Sequence, residues 1–189
     1  MTARPTACSA RSAAEGGDVL IHALPIFHVH GLFVAIGCTL LSGASMRWLD
    51  SFNAETVINY LQECTVMMGV PTYYTRLLAE PAFCAATVSK LRLFVSGSAP
   101  LLTETFDEFE QRTGHRILER YGMTETNMNT SNPYDGDRIA GTVGFPLPGV
   151  ALRVAGRPWV TEFLGEGGID AGGLFAEALT TAWEEVASG

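Results

Sequence analysis

The sequence predicts an α/β fold in which a largely parallel sheet is flanked by helices, and three observations lead to this prediction. From residue 18 to 155, short apolar runs typical of strands alternate with segments of helical period. Such alternation is typical of parallel sheets whose crossover connections are helices. The chain has 189 residues, enough for one ordinary domain with a real core. Its hydrophobic content of 47% and aromatic content of 10% are those of a globular protein.

Each predicted strand is a short apolar run with a clear boundary. Pro25 ends the first run and Pro71 ends the third, since proline lacks the N–H group that a strand ladder needs. Five small residues, 96–100, follow the fourth run and predict a turn. In chain order the predicted strands are 19–24, 44–49, 66–70, 91–95, 116–121 and 150–154.

Each predicted helix has an apolar stripe or a signal at one of its ends. The first, 31–41, stops near Gly43, and it is too short to span a bilayer. Asn53 is a suitable N-cap for the second helix, and Gly114 closes the fourth. The second helix buries Val57, Ile58 and Leu61, the third (72–79) buries Tyr74, Leu77 and Leu78, and the fourth (102–113) buries Phe106 and Phe109.

The remaining segments are predicted to be less regular. Residues 127–138 are polar and rich in turn formers, which predicts a surface loop. Residues 141–149 are a Gly/Pro loop. Residues 1–17 are expected to be a disordered leader. Residues 156–189 form an acidic Gly/Ala-rich tail, with one possible helix at 174–186.

Charge and cysteine spacing exclude several classes of protein. The net charge is −8 and no basic stripe is present, which argues against a nucleic-acid partner. The four cysteines lack the paired spacing of metal or redox sites, so a reducing, cytoplasmic location is expected. Arg4 and Arg11 faintly resemble a transit peptide, which leaves a mitochondrial location open if the organism is eukaryotic.

The segment 119–125 offers groups that suit a nucleotide. Tyr121 provides a flat ring, Thr124 a hydroxyl donor and Glu125 a hard oxygen ligand of the kind that Mg²⁺ prefers. The turn at 96–100 also follows a predicted strand. Because ligands of parallel sheets bind at the carboxyl ends of strands, we expect the two segments to converge on one ligand.

Four motifs give the chain a resemblance to a known family. The runs Ser-Gly-Ser-Ala-Pro at 96–100, Tyr-Gly-Met-Thr-Glu at 121–125 and Gly-Thr-Val-Gly-Phe-Pro-Leu-Pro-Gly at 141–149 resemble motifs of the adenylate-forming acyl-CoA synthetases. Leu-Pro-Ile-Phe-His-Val-His-Gly at 24–31 is similar to the substrate-side motif of that family. Within the family, residues 119–132 resemble the malonyl-CoA synthetases in particular.

The resemblance divides the chain into three parts. Residues 18–155 correspond to the central part of the large N-terminal AMP-binding domain of an adenylate-forming enzyme, whereas 1–17 and 156–189 have no counterpart. The family's phosphate loop and its C-terminal domain with a catalytic lysine are therefore expected to be missing, as in a truncated or frameshifted product. An acid–thiol ligase that lacks these parts is expected to be inactive alone.

The resemblance also implies a reaction. The family uses ATP to convert a carboxylic acid into an acyl-adenylate and pyrophosphate, and coenzyme A then displaces AMP. For this chain it implies malonate or methylmalonate as the acid, with ATP, Mg²⁺ and coenzyme A. Thr124 is assigned to phosphate and Glu125 to the metal, and these two residues are the predicted catalytic pair.

The remaining site residues are assigned by the same resemblance. A second carboxylate needs a cation in a partly buried pocket, and the resemblance gives this role to Arg76, with His28 or His30 beside it. The substrate-binding set is His28, His30, Arg76, Ser96, Gly97 and Met123. The nucleotide-binding set is Ser98, Ala99, Pro100, Glu119, Arg120, Tyr121, Gly122, Met123 and Thr124.

Other interpretations stay open. Taken singly, Glu125 is also compatible with a solvated loop acid and Arg76 with a surface cation. His28 and His30 have the spacing of a metal pair, with His22 nearby, but no fourth ligand is evident. The chain as a whole is also compatible with a non-catalytic nucleotide-binding module, with a ligase for another carboxylic acid, or with a non-functional fragment that exposes interior surfaces.

Overall fold

A computed structural model describes residues 15–151, 160–162 and 169–171. Seven of its strands form one sheet: β1 Val19–His22, β2 Ser45–Trp48, β3 Val66–Gly69, β4 Leu93–Ser96, β5 Leu118–Met123, β6 Asn127–Ser131 and β7 Phe145–Pro146. Their order is β2-β1-β3-β4-β5-β6-β7. The first five strands pair in parallel, and β6 and β7 add an antiparallel edge. The predicted largely parallel sheet is confirmed.

Helices connect the parallel strands, as the alternation predicted. A π-helix, His30–Ile36, continues into α1, Gly37–Ser42. The other helices are α2 Ala54–Tyr60, α3 Pro71–Leu78 and α4 Thr103–Thr113, and a short 3₁₀ turn, Leu61–Glu63, follows α2. The predicted boundary signals are confirmed. The side chain of Asn53 accepts a hydrogen bond from the Thr56 amide at 2.9 Å, and Gly114 ends α4 with φ of 77°.

The alternation of side chains along the strands divides the core between the two faces of the sheet. On one face, apolar residues such as Ile21 and Phe94 pack against α2, α3 and α4. On the other face, Leu20 and Val95 pack with Val34 of the π-helix. The strands β1, β3 and β4 are therefore covered on both sides, which accounts for their continuous apolar sequence, whereas the edge strand β2 is largely exposed.

Residues 127–138 are not the predicted surface loop throughout. The segment begins with β6, whose backbone pairs with β5 in antiparallel register. Asn129, Thr130 and Asn132 are at most 4% exposed. The sequence lacks the apolar alternation of a buried strand because these side chains are polar. The Asn132 side-chain amide instead donates hydrogen bonds to the carbonyl oxygens of Glu119 and Thr142, at 3.3 and 2.6 Å.

Three further differences concern element type and ends. The first half of the predicted helix at 31–41 is a π-helix, a rare geometry often found at functional sites. The Gly/Pro loop at 141–149 contains the short strand β7. Val150 and Ala151 are not in a strand, and the rest of the strand predicted at 150–154 lies outside the described residues.

The chain ends are described only in part. Two strands, β8 Val160–Glu162 and β9 Ile169–Ala171, form a separate antiparallel pair within the stretch predicted to be a tail. The helix predicted at 174–186 and nearly all of the leader predicted at 1–17 lie outside the described residues. None of the helices in the described part of the chain is long and apolar enough to cross a membrane.

A buried polar network closes the amino-terminal edge of the sheet. Asp18, which is 6% exposed, forms an ion pair with Arg92 and accepts a hydrogen bond from the Thr65 hydroxyl at 2.7 Å. Burial alone would raise the pKa of Asp18, but its hydrogen bonds with Arg92 and Thr65 and the Arg92 charge hold the pKa below its ordinary value. The network joins the starts of β1, β3 and β4.

Candidate functional site

A cavity of about 450 Å³ lies at the opposite, carboxyl-terminal edge of the sheet. The π-helix and the segment before it form one wall, and the turn after β4 and the β5–β6 hairpin form the other. Ligands of parallel sheets bind at this edge. The predicted site residues that line the cavity are His28, His30, Gly97, Ser98, Arg120, Gly122, Met123, Thr124 and Glu125.

The two predicted segments converge because their strands are neighbours. β4 and β5 pair in parallel, with Ser96 opposite Glu119. The turn at 96–100 and the β5–β6 hairpin therefore leave the sheet side by side. The expectation that these segments meet at one site is confirmed by the cavity that Ser98 and Thr124 both line.

His30 and Ser98 form a polar pair in the wall of the cavity. His30 is 7% exposed, and its Nδ1 lies 3.2 Å from Ser98 Oγ, while its Nε2 has no hydrogen-bond partner among the described residues. Burial, with smaller contributions from the Arg120 and His22 charges, lowers the pKa of His30 to about 4. The imidazole is therefore neutral at physiological pH. Ser98 has φ of 70°, an unusual backbone conformation for serine that often marks functional sites.

Arg120 supplies a cation to the same cavity. Its Nε donates a hydrogen bond to Ser131 Oγ at 3.1 Å. Burial lowers the pKa of Arg120, but a guanidinium stays charged in proteins. Across residues 15–151, no carboxylate forms an ion pair with this side chain. A positive charge that faces a cavity without an ion-pair partner among the described residues is suited to an anionic ligand.

Strand alternation places a second group of predicted residues, from β4 and β5, on the opposite face of the sheet. Ser96 and Tyr121 are buried and do not line the cavity. Glu119 is 4% exposed, and its Oε1 accepts a hydrogen bond from the Leu101 amide at 3.0 Å. Burial, partly opposed by this hydrogen bond, raises the pKa of Glu119 to about 7. Ala99 and Pro100, in the turn between the two groups, are partly buried.

The β5–β6 hairpin presents the predicted catalytic pair at its tip. Thr124 and Glu125 are exposed and line the cavity. The hairpin closes tightly beside Gly122, where β5 has a bulge. The structure thus explains why a glycine precedes the two residues of the predicted catalytic pair.

The oxygen atoms at the hairpin tip are of the kind that Mg²⁺ prefers. Mg²⁺ usually takes one or two protein carboxylates together with phosphate oxygens and water. Glu125 provides one such carboxylate and Thr124 a hydroxyl. No group of three or more His, Cys, Asp or Glu side chains in the described ranges is placed to hold a metal ion. The alternative metal site at His22, His28 and His30 is therefore not formed.

Arg76 is not brought to this cavity. It is exposed in the last turn of α3, and its guanidinium lies over the Phe52 ring, 5.2 Å from the centroid. The apolar stripe of α3, which includes Tyr74 and Leu77, faces the core and directs Arg76 away from it. The assignment of Arg76 to a substrate carboxylate stays a prediction.

The sequence interpretation missed the contribution of β6 to the site. Asn127 and Met128 line the cavity, and Ser131 orients Arg120. These residues fall in the polar stretch that was predicted to be a surface loop. Two sequence signals point to the segment: residues 119–132 resemble the malonyl-CoA synthetases, and Gly122 permits the close backbone approach that a hairpin at this position requires.

Comparison with known proteins identifies the family. Residues 1–162 match the AMP-binding enzyme family. The mitochondrial malonate–CoA ligase of Mus musculus is 39% identical over 153 residues, covering 72% of this chain and 26% of that protein. The crystal structure of ATP-bound MatB from Rhodopseudomonas palustris is 58% identical, with a TM-score of 0.73 over 74% of this chain and 28% of the other. A malonyl-CoA ligase in complex with methylmalonyl-CoA and AMP is 45% identical, with a TM-score of 0.72, over 78% of this chain and 33% of the other.

These matches confirm the resemblance inferred from the motifs, including the likeness to malonyl-CoA synthetases. The mostly parallel sheet flanked by helices is that of the N-terminal domain of adenylate-forming enzymes. The chain spans about a quarter of the length of its relatives, 26% for the mouse protein. The chain belongs to the AMP-binding enzyme family.

Proposed function

We propose that this site takes part in the ATP-dependent activation of a small dicarboxylic acid, malonate or methylmalonate, for transfer to coenzyme A. The observation that carries the proposal is Arg120, a cation that faces the cavity without an ion-pair partner among residues 15–151. It lies in the same cavity as the polar pair His30 and Ser98 and the hairpin tip. The chain spans about a quarter of the relatives' length, 26% for the mouse protein.

The charge and polarity of the cavity favour a dicarboxylate over a fatty acid. One carboxylate of malonate reacts, and the other stays charged and needs a cation and donors. Arg120 provides a planar guanidinium that suits a carboxylate, and the neutral His30 and Ser98 provide groups for hydrogen bonds. A long alkyl chain would leave this cation desolvated and unpaired, which is costly.

In this proposal the nucleotide lies along the edge formed by the turn at 96–100 and the hairpin. Tyr121 and the residues from Ser98 to Pro100 bind the adenine, and Thr124 donates to phosphate. Glu125 would hold Mg²⁺. The bound ion would neutralise the charge that develops on the phosphate oxygens. A carboxylate oxygen of the acid attacks the α-phosphorus, the acyl-adenylate forms and pyrophosphate leaves. The thiol of coenzyme A then attacks the acyl carbon and AMP leaves.

Calorimetric titration tests the proposal directly. The chain is titrated with ATP and MgCl₂, and the nucleotide-loaded chain is then titrated with malonate or with butyrate, a monocarboxylate of similar size. Saturable binding of ATP and of malonate, with butyrate bound at least about tenfold more weakly, is the expected result. Absence of ATP binding, or equal binding of the two acids, would contradict the proposal.

A second candidate function is a nucleotide-binding module without catalysis, for which a cavity lined by the turn at 96–100 and the hairpin tip is sufficient. It shares the predicted ATP binding and differs only in turnover. AMP release that depends on both malonate and coenzyme A distinguishes the two. The cytoplasmic location stays a prediction from cysteine spacing, with a mitochondrial location as its alternative.

A further inference from the structure

The turn that carries Ser98 is fixed at both of its ends and at its middle. At the start, the Gly97 amide donates to the carbonyl oxygen of Gly69 at 3.3 Å. In the middle, Ser98 Oγ pairs with His30. At the end, the Leu101 amide donates to Oε1 of Glu119 at 3.0 Å. Only the last of these three contacts uses a carboxylate.

The contact between Glu119 and Leu101 is unusual in its burial. Both residues are at most 4% exposed, so the hydrogen bond is shielded from water. The second carboxylate oxygen, Oε2, has no hydrogen-bond partner among the described residues. A buried carboxyl group with one partner is costly for the fold, so its presence calls for a role other than stability.

Glu119 also connects the turn to a second loop. Its carbonyl oxygen accepts hydrogen bonds from the backbone and side-chain amides of Asn132, at 3.0 and 3.3 Å. The Asn132 side chain in turn donates to the carbonyl oxygen of Thr142. One residue of β5 therefore links the turn at 96–100 to the Gly/Pro loop at 141–149.

We propose that Glu119 is a positioning residue, which sets the geometry of the turn at 96–100 for the nucleotide through its hydrogen bond to the Leu101 amide. The proposal rests on the proposed function, since it concerns the same nucleotide site. Its strand register explains the reach: Glu119 lies opposite Ser96, so its side chain extends forward beneath the turn to meet Leu101. The role requires a side chain long enough to bring an oxygen acceptor to the Leu101 amide. It does not require a negative charge.

Two conservative variants separate reach from charge. Glu119→Gln keeps an oxygen acceptor at the same distance but carries no charge, whereas Glu119→Asp keeps the charge but is one methylene shorter. Thr113→Val is the matched control. It removes a buried hydroxyl that donates a hydrogen bond to the Phe109 carbonyl oxygen at 2.6 Å, on the same side of the sheet but away from the turn. Amide hydrogen exchange at Leu101 and calorimetric titration with AMP are measured for each protein.

Glu119→Asp is expected to change both hydrogen exchange at Leu101 and AMP affinity more than Glu119→Gln does. In Glu119→Gln, exchange at Leu101 and the Kd for AMP stay within about threefold of the parent, because the hydrogen bond is kept. In Glu119→Asp, exchange at Leu101 is faster and AMP binding is weaker, each by about tenfold, because the bond is lost. Thr113→Val lowers the midpoint of unfolding and leaves both readouts unchanged.

The outcomes that overturn the proposal are distinct from those that overturn the proposed function. If Glu119→Asp binds AMP like the parent and Glu119→Gln does not, charge is the property that matters and Glu119 is not a positioning residue. If Leu101 is deprotected while AMP affinity is unchanged, the bond braces the turn without serving the nucleotide. If the parent itself binds no AMP, the proposed function fails, and the role given to Glu119 fails with it.

Discussion

Gly122 and Asn127 lie so close across the β5–β6 hairpin that a Cβ atom on residue 122 would be 2.3 Å from the Asn127 carbonyl oxygen. Such a distance is far below van der Waals contact, and the obstacle is backbone, which cannot move aside as a flexible side chain does. The position of Thr124 and Glu125 at the tip therefore depends on the absence of a side chain two residues earlier.

Gly122→Ala is expected to open the hairpin and to abolish saturable ATP binding in calorimetry. The cost in the free energy of unfolding is expected to be about 1–3 kcal/mol, since the strand must separate locally. Gly17→Ala is the matched control, because a Cβ at residue 17 meets no atom within 4 Å. Unchanged ATP affinity in Gly122→Ala would show that the hairpin tip does not contact the nucleotide.

Arg120 and Arg76 are competing candidates for the cation that binds the second carboxylate of malonate. Arg120→Gln is expected to weaken malonate binding to the nucleotide-loaded chain by about 30-fold or more, because a charge-assisted contact in a partly buried site is lost. Arg76→Gln is expected to have a smaller effect, because Arg76 is exposed and lies over Phe52. The two variants are compared by titration with malonate and butyrate. A larger loss of malonate affinity in Arg76→Gln than in Arg120→Gln would show that Arg76, as the motif resemblance implied, binds this carboxylate.

Glu119 is expected to make the stability of the fold depend on pH near neutrality. Its pKa is about 7 in the folded chain and 4.5 in the unfolded chain. Between pH 4.5 and about pH 7 the folded state therefore binds a proton that the unfolded state releases. The contribution of Glu119 to stability is therefore greatest below pH 4.5 and decreases as the pH rises to about 7. Glu119→Gln removes this dependence. In urea titrations its stability relative to the parent should rise from pH 5 to pH 8, and a constant difference would contradict a raised pKa.

Asp18 is expected to govern stability in acid. Its pKa is lowered from 3.8 in the folded state, so its contribution is present above that pH and is lost as the pH falls through the lowered value. Asp18→Asn should therefore be less stable than the parent at pH 7, and the difference should shrink on acidification below pH 3.8. Chemical denaturation at a series of pH values measures this. AMP affinity at pH 7 is expected to stay unchanged, because Asp18 lies at the edge of the sheet opposite the cavity.

Phe109 anchors the core on the helix-rich face. It is fully buried, and its ring centroid lies 4.9 Å from that of Phe94 and 5.5 Å from that of Tyr74. Phe109→Ala is expected to lower the free energy of unfolding by about 3–5 kcal/mol through lost burial and a cavity. Phe33→Ala, at a residue that is 60% exposed, is the control and should change it by less than about 1 kcal/mol. Equal losses in the two variants would contradict the described core.

The elements that could be predicted are those in which burial and local signals agree. β3 and β4 are apolar runs buried on both faces, and α4 combines an apolar stripe with Gly114 at its end. β6 could not be predicted, because its buried side chains, Asn129 and Thr130, are polar and the segment has no apolar alternation. The two groups of site residues on opposite faces of β5 also depend on strand register, which motif spacing does not contain.

The Asp18 network and the cavity occupy opposite ends of the same strands. β4 has four residues, so at roughly 3.3 Å per residue the two ends are separated by roughly 13 Å. One end holds the strands in place, and the other presents loops to a ligand. Substitutions in the turn and the hairpin are therefore expected to change ligand binding without weakening the Asp18 network, which joins the starts of the supporting strands. The residues that stabilise this sheet are thus separate from the residues proposed to bind its ligand.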